Sequence, residues 1–318
     1  MNDVHAGDNV LKAILRAIEG AYKAPQKRAE ERLRAFLKPK LKALQPRVGE
    51  SMTAYRARVL LAFTGREWAR VKREIAADFT DVNIDITERI NDALEQAFAD
   101  GFNDAAYSIA KSGVEMWPVT IAIVAALFLL ARRKVKKKKV ADYNERRAQS
   151  AVKGAVARDV SVDDMARDVS RRFTSARMNE MSAVARVVIY GAADQGAYFA
   201  GLEAEKQGIA IEKTWLSIMD MRVRPSHRKL HGKTLPLEEK FRGIHGLLRF
   251  PHDPEAPPQE IYRCRCRMVV HLAGRRPAVS GRRLMPSQTA TYKRWRDAQI
   301  RKAGNEIELE KRHRKLVK

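Results

Sequence analysis

The 318 residues carry 62 Lys+Arg against 38 Asp+Glu, a formal net charge of +24, and 45% of them are hydrophobic. A chain of this length and apolar content can bury a real core and has room for two domains, while a charge so far from neutral repels itself unless a polyanion or an acidic partner sits nearby. Two cysteines separated by one residue exclude a disulfide scaffold and suit a reducing compartment, and the opening MNDVHAGDN lacks the basic start and apolar run of a secretory signal.

From Asn9 to Gln45 the apolar residues Val10, Ile14, Leu15, Ile18, Tyr22, Leu33, Phe36, Leu37, Leu41 and Leu44 recur at helical spacing, with breaks expected at Pro25 and Pro39. A helix capped by Ser51 fits Ser51 to Asp78, and another fits Asp85 to Ser112, striped by Ile86, Ile90, Leu94, Phe98, Phe102 and Ile109. This N-terminal region, 1–113, therefore reads as helical, a bundle or a partner surface rather than a catalytic unit.

Composition then changes abruptly over 114–139. Trp117 to Ala131 is free of charge and is followed by Arg132, Arg133, Lys134, Lys136, Lys137, Lys138 and Lys139. At about 1.5 Å per residue the apolar run reaches roughly 22 Å as a helix, short of a hydrocarbon core of about 30 Å. It reads as a buried or protein-docked helix, with a transient membrane contact or an anchor as the alternatives, and the basic cluster as a contact for DNA or an acidic partner. The helical segment 140–205 opens with a polar linker over Tyr143 to Ala157, starts its main helix at Ser161-x-x-Asp164, and carries Gly191, Ala192, Ala193, Gly196 and Ala197, small residues that permit close packing against a C-terminal module.

Both cysteines and five of the seven histidines fall between Trp215 and Leu272, within a module placed at 206–275. Thr214 to Met219 and Met268 to Leu272 read as paired short strands. Asp220 ends the first, and Pro225-Ser226 open a short helix that places His227 and His231 on one face. Cys264 and Cys266 flank Arg265, so an extended chain turns both sulfurs to one side.

Three chemistries fit this cluster. A hydrogen-bonded clasp, our leading reading, has Asp220 accept from Arg222, Arg224 or His227 above two buried thiols. A structural zinc ion would take His227, His231, Cys264 and Cys266, with His245, His252 and Asp220 as substitutes, although Cys-x-Cys is tighter than the usual spacer. A cysteine triad of Cys264 or Cys266 with His227 and Asp220 can be drawn, but no nucleophile elbow or glycine-rich loop surrounds the thiols, and no enzymatic activity is expected.

The ordered series Trp215, Asp220-Met221-Arg222-Val223-Arg224-Pro225-Ser226-His227, Leu230, Gly232, Phe250-Pro251-His252-Asp253-Pro254 and Cys264-Arg265-Cys266 resembles the Mu F-like phage head morphogenesis (minor head protein) family. The resemblance covers about a quarter of the chain and departs from the family where Arg263 stands for a usual Asn, where His231 stands for a common acidic residue, and where Arg186-Val187-Val188-Ile189-Tyr190 replaces an Arg-Thr-Glu. It implies a structural minor capsid protein in the capsid interior of the virion, assembled in the host cytoplasm near the portal. The partners it implies are the portal protein, a scaffold or major capsid protein, and packaged double-stranded DNA. The rival readings are a membrane-associated basic protein anchored through 117–131 and a zinc-dependent nucleic-acid-binding protein.

The tail 276–318 reads as a basic helix in which Arg294 and Arg296, beside Tyr292 and Trp295, suit phosphate contact with stacking. The fold class expected overall is mainly α, an extended helical N-terminal region with a small α+β C-terminal module.

Overall fold

A computed structural model describes residues 7–43, 47–61, 65–119, 162–218, 220–275, 277 and 290–304. The apolar stretch from 120 to 131, the basic cluster from Arg132 to Lys139 and the linker from Tyr143 to Ala157 lie outside these residues. Among the described residues no helix is long and apolar enough to cross a membrane. The chain is mainly α, with a small antiparallel sheet near its C-terminal end. It divides into two compact units, one of 15–88 with 135–182 and the other of 1–14, 89–134 and 183–318.

In the first unit, helix α2 (Lys23–Ala43) packs against α4 (Gly65–Asp78), with α3 (Met52–Leu61) between them in sequence. Leu33, Leu37, Trp68, Val71, Ile75 and Phe79 are buried, and the rings of Phe36 and Trp68 lie 5.6 Å apart, as do those of Tyr22 and Phe79. Charged residues stay at the rim, where Arg32 binds Asp78 at 2.9 Å and Glu74 at 3.2 Å. Ser51 caps α3 as expected, its Oγ accepting from the Ala54 amide at 3.2 Å. Two sequence expectations change. The single helix over Ser51 to Asp78 is two, α3 and α4, and α2 runs on through Pro39. Proline frees the carbonyl one turn back, at Ala35, which is exposed and can turn to water.

The division between the units falls within α1 (Asp8–Ala21), α5 (Thr80–Ala110) and α6 (Val162–Lys206). The whole stripe foreseen on α5 is buried, from Ile86 to Ile109. In the second unit, α5 and α6 meet backbone to backbone: a methyl group at Gly196 would lie 2.1 Å from the Phe98 carbonyl oxygen, and one at Gly101 would lie 1.9 Å from that of Ala193. Ala193 and Gly196 serve this crossing, whereas Gly191 faces His252 and Gly201 faces Leu237 and Val270, the close approach to the C-terminal module expected from the sequence. Asn103 of α5 holds the extended stretch after it by a reciprocal pair, Nδ2 to the Val119 carbonyl at 3.0 Å and the Val119 amide to Oδ1 at 2.7 Å.

Gly208, at φ +79°, ends α6, and the Ile209 amide returns to the Ala204 carbonyl. The chain then enters β1 (Ile211–Leu216), which pairs antiparallel with β2 (Thr234–Pro236) on one side and with β5 (Arg267–Leu272) on the other. Trp215 stands opposite Met268. The paired strands were foreseen, but β1 starts three residues before the expected Thr214 and stops at Leu216, leaving Ile218 half exposed and Asp220 in the loop beyond. A separate hairpin of β3 (Phe241–Arg242) and β4 (Leu247–Leu248) sits in the long connection, with the short helices α7 (Pro225–Leu230) and α8 (Pro258–Ile261) on either side of it in sequence. Lys213 of β1 is fully buried; its Nζ donates to the Leu237 carbonyl at 2.6 Å and lies over the rings of Tyr198 and Phe241. The last described helix, α9 (Ala290–Ala303), sets Tyr292 and Trp295 against Tyr107 with ring centroids 5.5 and 5.4 Å away.

Candidate functional site

Trp215 is the floor of the site. Its amide donates to the Lys233 carbonyl, and its own carbonyl accepts from Gly232, whose φ of +75° swings the chain back to β1 after α7. The indole is completely buried and meets His227 edge to face at 5.1 Å and Phe241 at 5.2 Å. Leu230, Leu248, Ala256, Cys264 and Cys266 close a small apolar cluster around it. The indole N–H donates to Ser217 Oγ at 3.2 Å, and that hydroxyl donates to the His227 carbonyl at 2.7 Å and lies 3.4 Å from Cys266 Sγ.

His227 has Pro225 at the start of its helix and is 1% exposed. Its Nε2 bonds the Glu260 carboxylate at 2.8 Å, and Glu260, also 1% exposed, accepts the His245 amide on its other oxygen at 2.6 Å. Gly243 makes room for that carboxylate, since a methyl there would fall 2.5 Å from Glu260 Oε1. With Nε2 donating to the carboxylate, Nδ1 points at both thiols, 3.5 Å from Cys264 Sγ and 3.6 Å from Cys266 Sγ. The Cys266 amide in turn donates to Cys264 Sγ at 3.4 Å.

The electrostatics follow from this crowding. The thiols share their proton unequally: the bond from Cys264, reinforced by His227 and Ser217, holds Cys266 below the usual thiol range, while Cys264 is pushed up by that same bond and by burial. Burial works to lower the His227 pKa, but Cys266 and Glu260 outweigh it and the net direction is upward. Glu260 is held below its ordinary value, because its bonds from His245 and His227 outweigh burial.

A second buried network ties this cluster to α6. His252, at φ +61°, bridges Asp194 Oδ2 at 3.2 Å and the Cys264 carbonyl at 2.9 Å, while Asp194 Oδ1 accepts the Met268 amide at 3.2 Å. Beside it, Asp253 accepts from the Arg249 amide and guanidinium and from the Glu255 amide, so the Pro-His-Asp-Pro segment is a fully bonded turn. Arg263, immediately before the cysteines, has φ +55°, a conformation that asparagine adopts more readily than arginine.

Part of the group foreseen from sequence comes together in the structure. Trp215, His227, Cys264 and Cys266 converge. Asp220 takes neither the Arg224 nor the His227 side chain; it ion-pairs with Arg265 at 2.6 Å, which lowers its pKa, and accepts the Arg222 amide at 2.9 Å. Arg224 instead donates to the Tyr262 carbonyl, and the Arg222 side chain is exposed. α7 stops at Leu230, so His231 leaves the helix instead of sharing a face with His227, and its Nδ1 accepts the Ser217 amide at 3.0 Å. Glu260, Ser217 and Asp194 were missed; nothing in their local sequence distinguishes them, because each meets its partner only through the fold. Among the described residues, His227, Cys264 and Cys266 are the group whose ligand atoms lie within 4.8 Å of one another. On α9, Arg294 is exposed and Arg296 half-buried, while Tyr292 and Trp295, expected to stack on bases, pack on Tyr107.

Residues 146–269 match the family described as Phage Mu protein F like protein. They form a Mu F-like segment. The site from Trp215 to Cys266 lies wholly inside it, and so does α6, which supplies Asp194. Over a longer stretch the chain is 23% identical to the minor head protein GP7 of Bacillus phage SPP1 across 285 residues, covering 83% of this chain and 89% of that protein. No solved structure matches the chain. The Mu F-like segment is therefore a helix joined to a small sheet by buried polar bonds, with the Cys-Arg-Cys run at the junction.

Proposed function

We propose that the protein is a structural minor head protein of a tailed phage or prophage, acting inside the procapsid near the portal in head assembly and in DNA packaging or ejection. The observation that carries this reading is the alignment with a phage minor head protein along most of both chains, reaching well beyond the Mu F-like segment. The charge of +24 suits a place beside packaged double-stranded DNA, which the exposed Arg294 of α9 and the basic run from Arg132 to Lys139 would contact. A structural role rather than an enzymatic one is supported by the thiols: each is 2% exposed and walled in by Trp215, His227 and Leu230, where a nucleophile would have to reach a substrate.

Portal protein and a scaffold or major capsid protein are the partners this reading names. The test is to produce procapsids in host cells with the full chain present. It is expected to sediment with the particles, to resist added protease until the shell is opened, and to be pulled down by tagged portal protein. A chain that stays in the particle-free fraction overturns the reading.

A further inference from the structure

We propose that His227 Nδ1, Cys264 Sγ and Cys266 Sγ bind a zinc ion, with the Glu260 carboxylate as the positioning group behind the histidine. Tetrahedral zinc with bonds of about 2.3 Å to sulfur and about 2.0 to 2.1 Å to nitrogen sets its nitrogen and sulfur ligands roughly 3.5 Å apart. The two separations here are 3.5 and 3.6 Å. One imidazole can satisfy one thiol well by hydrogen bonding, yet both sulfurs face the same nitrogen at equal range. A cation at their common centre serves all three atoms together.

The surroundings are built as a ligand set requires. Glu260 on Nε2 fixes the ring so that Nδ1 faces the sulfurs, the carboxylate–histidine–metal arrangement that orients a ligand and raises its basicity. Trp215 packs against the ring in an edge-to-face pair, and the Cys266 amide is aimed at Cys264 Sγ. Two thiolates and one imidazole are soft and borderline donors, a set that suits zinc over calcium or magnesium. Binding holds both sulfurs as thiolates and releases to solvent the proton that Cys264 retains without metal. These three side chains leave the fourth tetrahedral position to a ligand from outside the trio. His231 is not among the residues whose ligand atoms lie within 4.8 Å of one another, and its Nδ1 accepts the Ser217 amide.

The proposal stands on side-chain geometry and is independent of procapsid association. The full chain is stripped with chelator under reducing conditions, reloaded with zinc, and its metal counted by mass spectrometry; a parallel sample is loaded with cobalt. One zinc per chain and a cobalt spectrum with a thiolate charge-transfer band and tetrahedral d–d intensity are expected. Cys264→Ser and Cys266→Ser lose both, His231→Ala leaves both unchanged, and Glu260→Gln keeps the cobalt band while weakening zinc by about 10- to 100-fold. Should the cysteine variants fail to fold, the cobalt spectrum of the unmutated chain still reads sulfur ligation. Substoichiometric zinc with no thiolate band, or a Cys264–Cys266 disulfide persisting under reduction, overturns the proposal.

Discussion

The helical unit and the Mu F-like segment are stabilised in opposite ways. Between α2 and α4 the buried residues are apolar and the charges sit at the rim, so the interior is held by surface removed from water. Around Trp215 the buried set includes His227, Glu260, His252, Asp253, Asp194 and Lys213, each bonded to a residue distant in sequence or to a turn. An apolar interface tolerates adjustment, because a neighbouring side chain can move into the space. A network of buried charges does not, since each group removed leaves another unpaired.

The sharpest way to break the contrast is Glu260→Ala. It leaves the buried His227 ring without its carboxylate partner and is expected to cost about 3–5 kcal/mol in denaturant unfolding, the range for losing one partner of a buried pair. Lys213 tests the same point by pH. Burial lowers its pKa from the ordinary 10.5 to about 8, so between those values the unfolded chain holds a proton that the folded chain has lost. Stability therefore rises with pH across that window, and Lys213→Met is expected to flatten the rise in thermal unfolding scans relative to the parent chain.

A milder change sharpens the comparison from the other side. Arg263→Asn relieves a left-handed backbone and is expected to stabilise by about 0.5–1 kcal/mol, the conformational gain less the weak contact of the guanidinium with the Tyr262 ring. Least of all, Arg32→Ala in the helical unit removes exposed pairs to Asp78 and Glu74 and should change the unfolding free energy by less than about 1 kcal/mol. If the Arg32 change were to cost as much as the Glu260 change, the distinction between the two regions would fail.

The same contrast decides what could be read from the chain beforehand. The stripe from Ile86 to Ile109 was legible because helical periodicity is local, and the whole stripe is buried as read. Trp215, His227, Cys264 and Cys266 were legible as a group because unusual residue types were concentrated in one module. Their partners were not. Glu260 is 33 residues from His227, and Asp194 is 58 from His252, so only the folded chain pairs them. His231 was misplaced for a smaller reason: α7 ends one residue too soon to carry it. Asn where Arg263 stands, usual in the family this segment resembles, is what a positive φ at that position favours.

The contact of bare backbones at Gly101 and Gly196 reaches further than the two helices that make it. Asp194 lies two residues before Gly196, and from there it grips the Met268 amide and the His252 ring that in turn holds the Cys264 carbonyl. With no side chain to cushion the crossing, backbone contact alone sets how closely α6 lies on α5, as a key sets a lock pin. A single added methyl group at Gly196 would thus be felt at the cysteines, although it touches none of the residues around them.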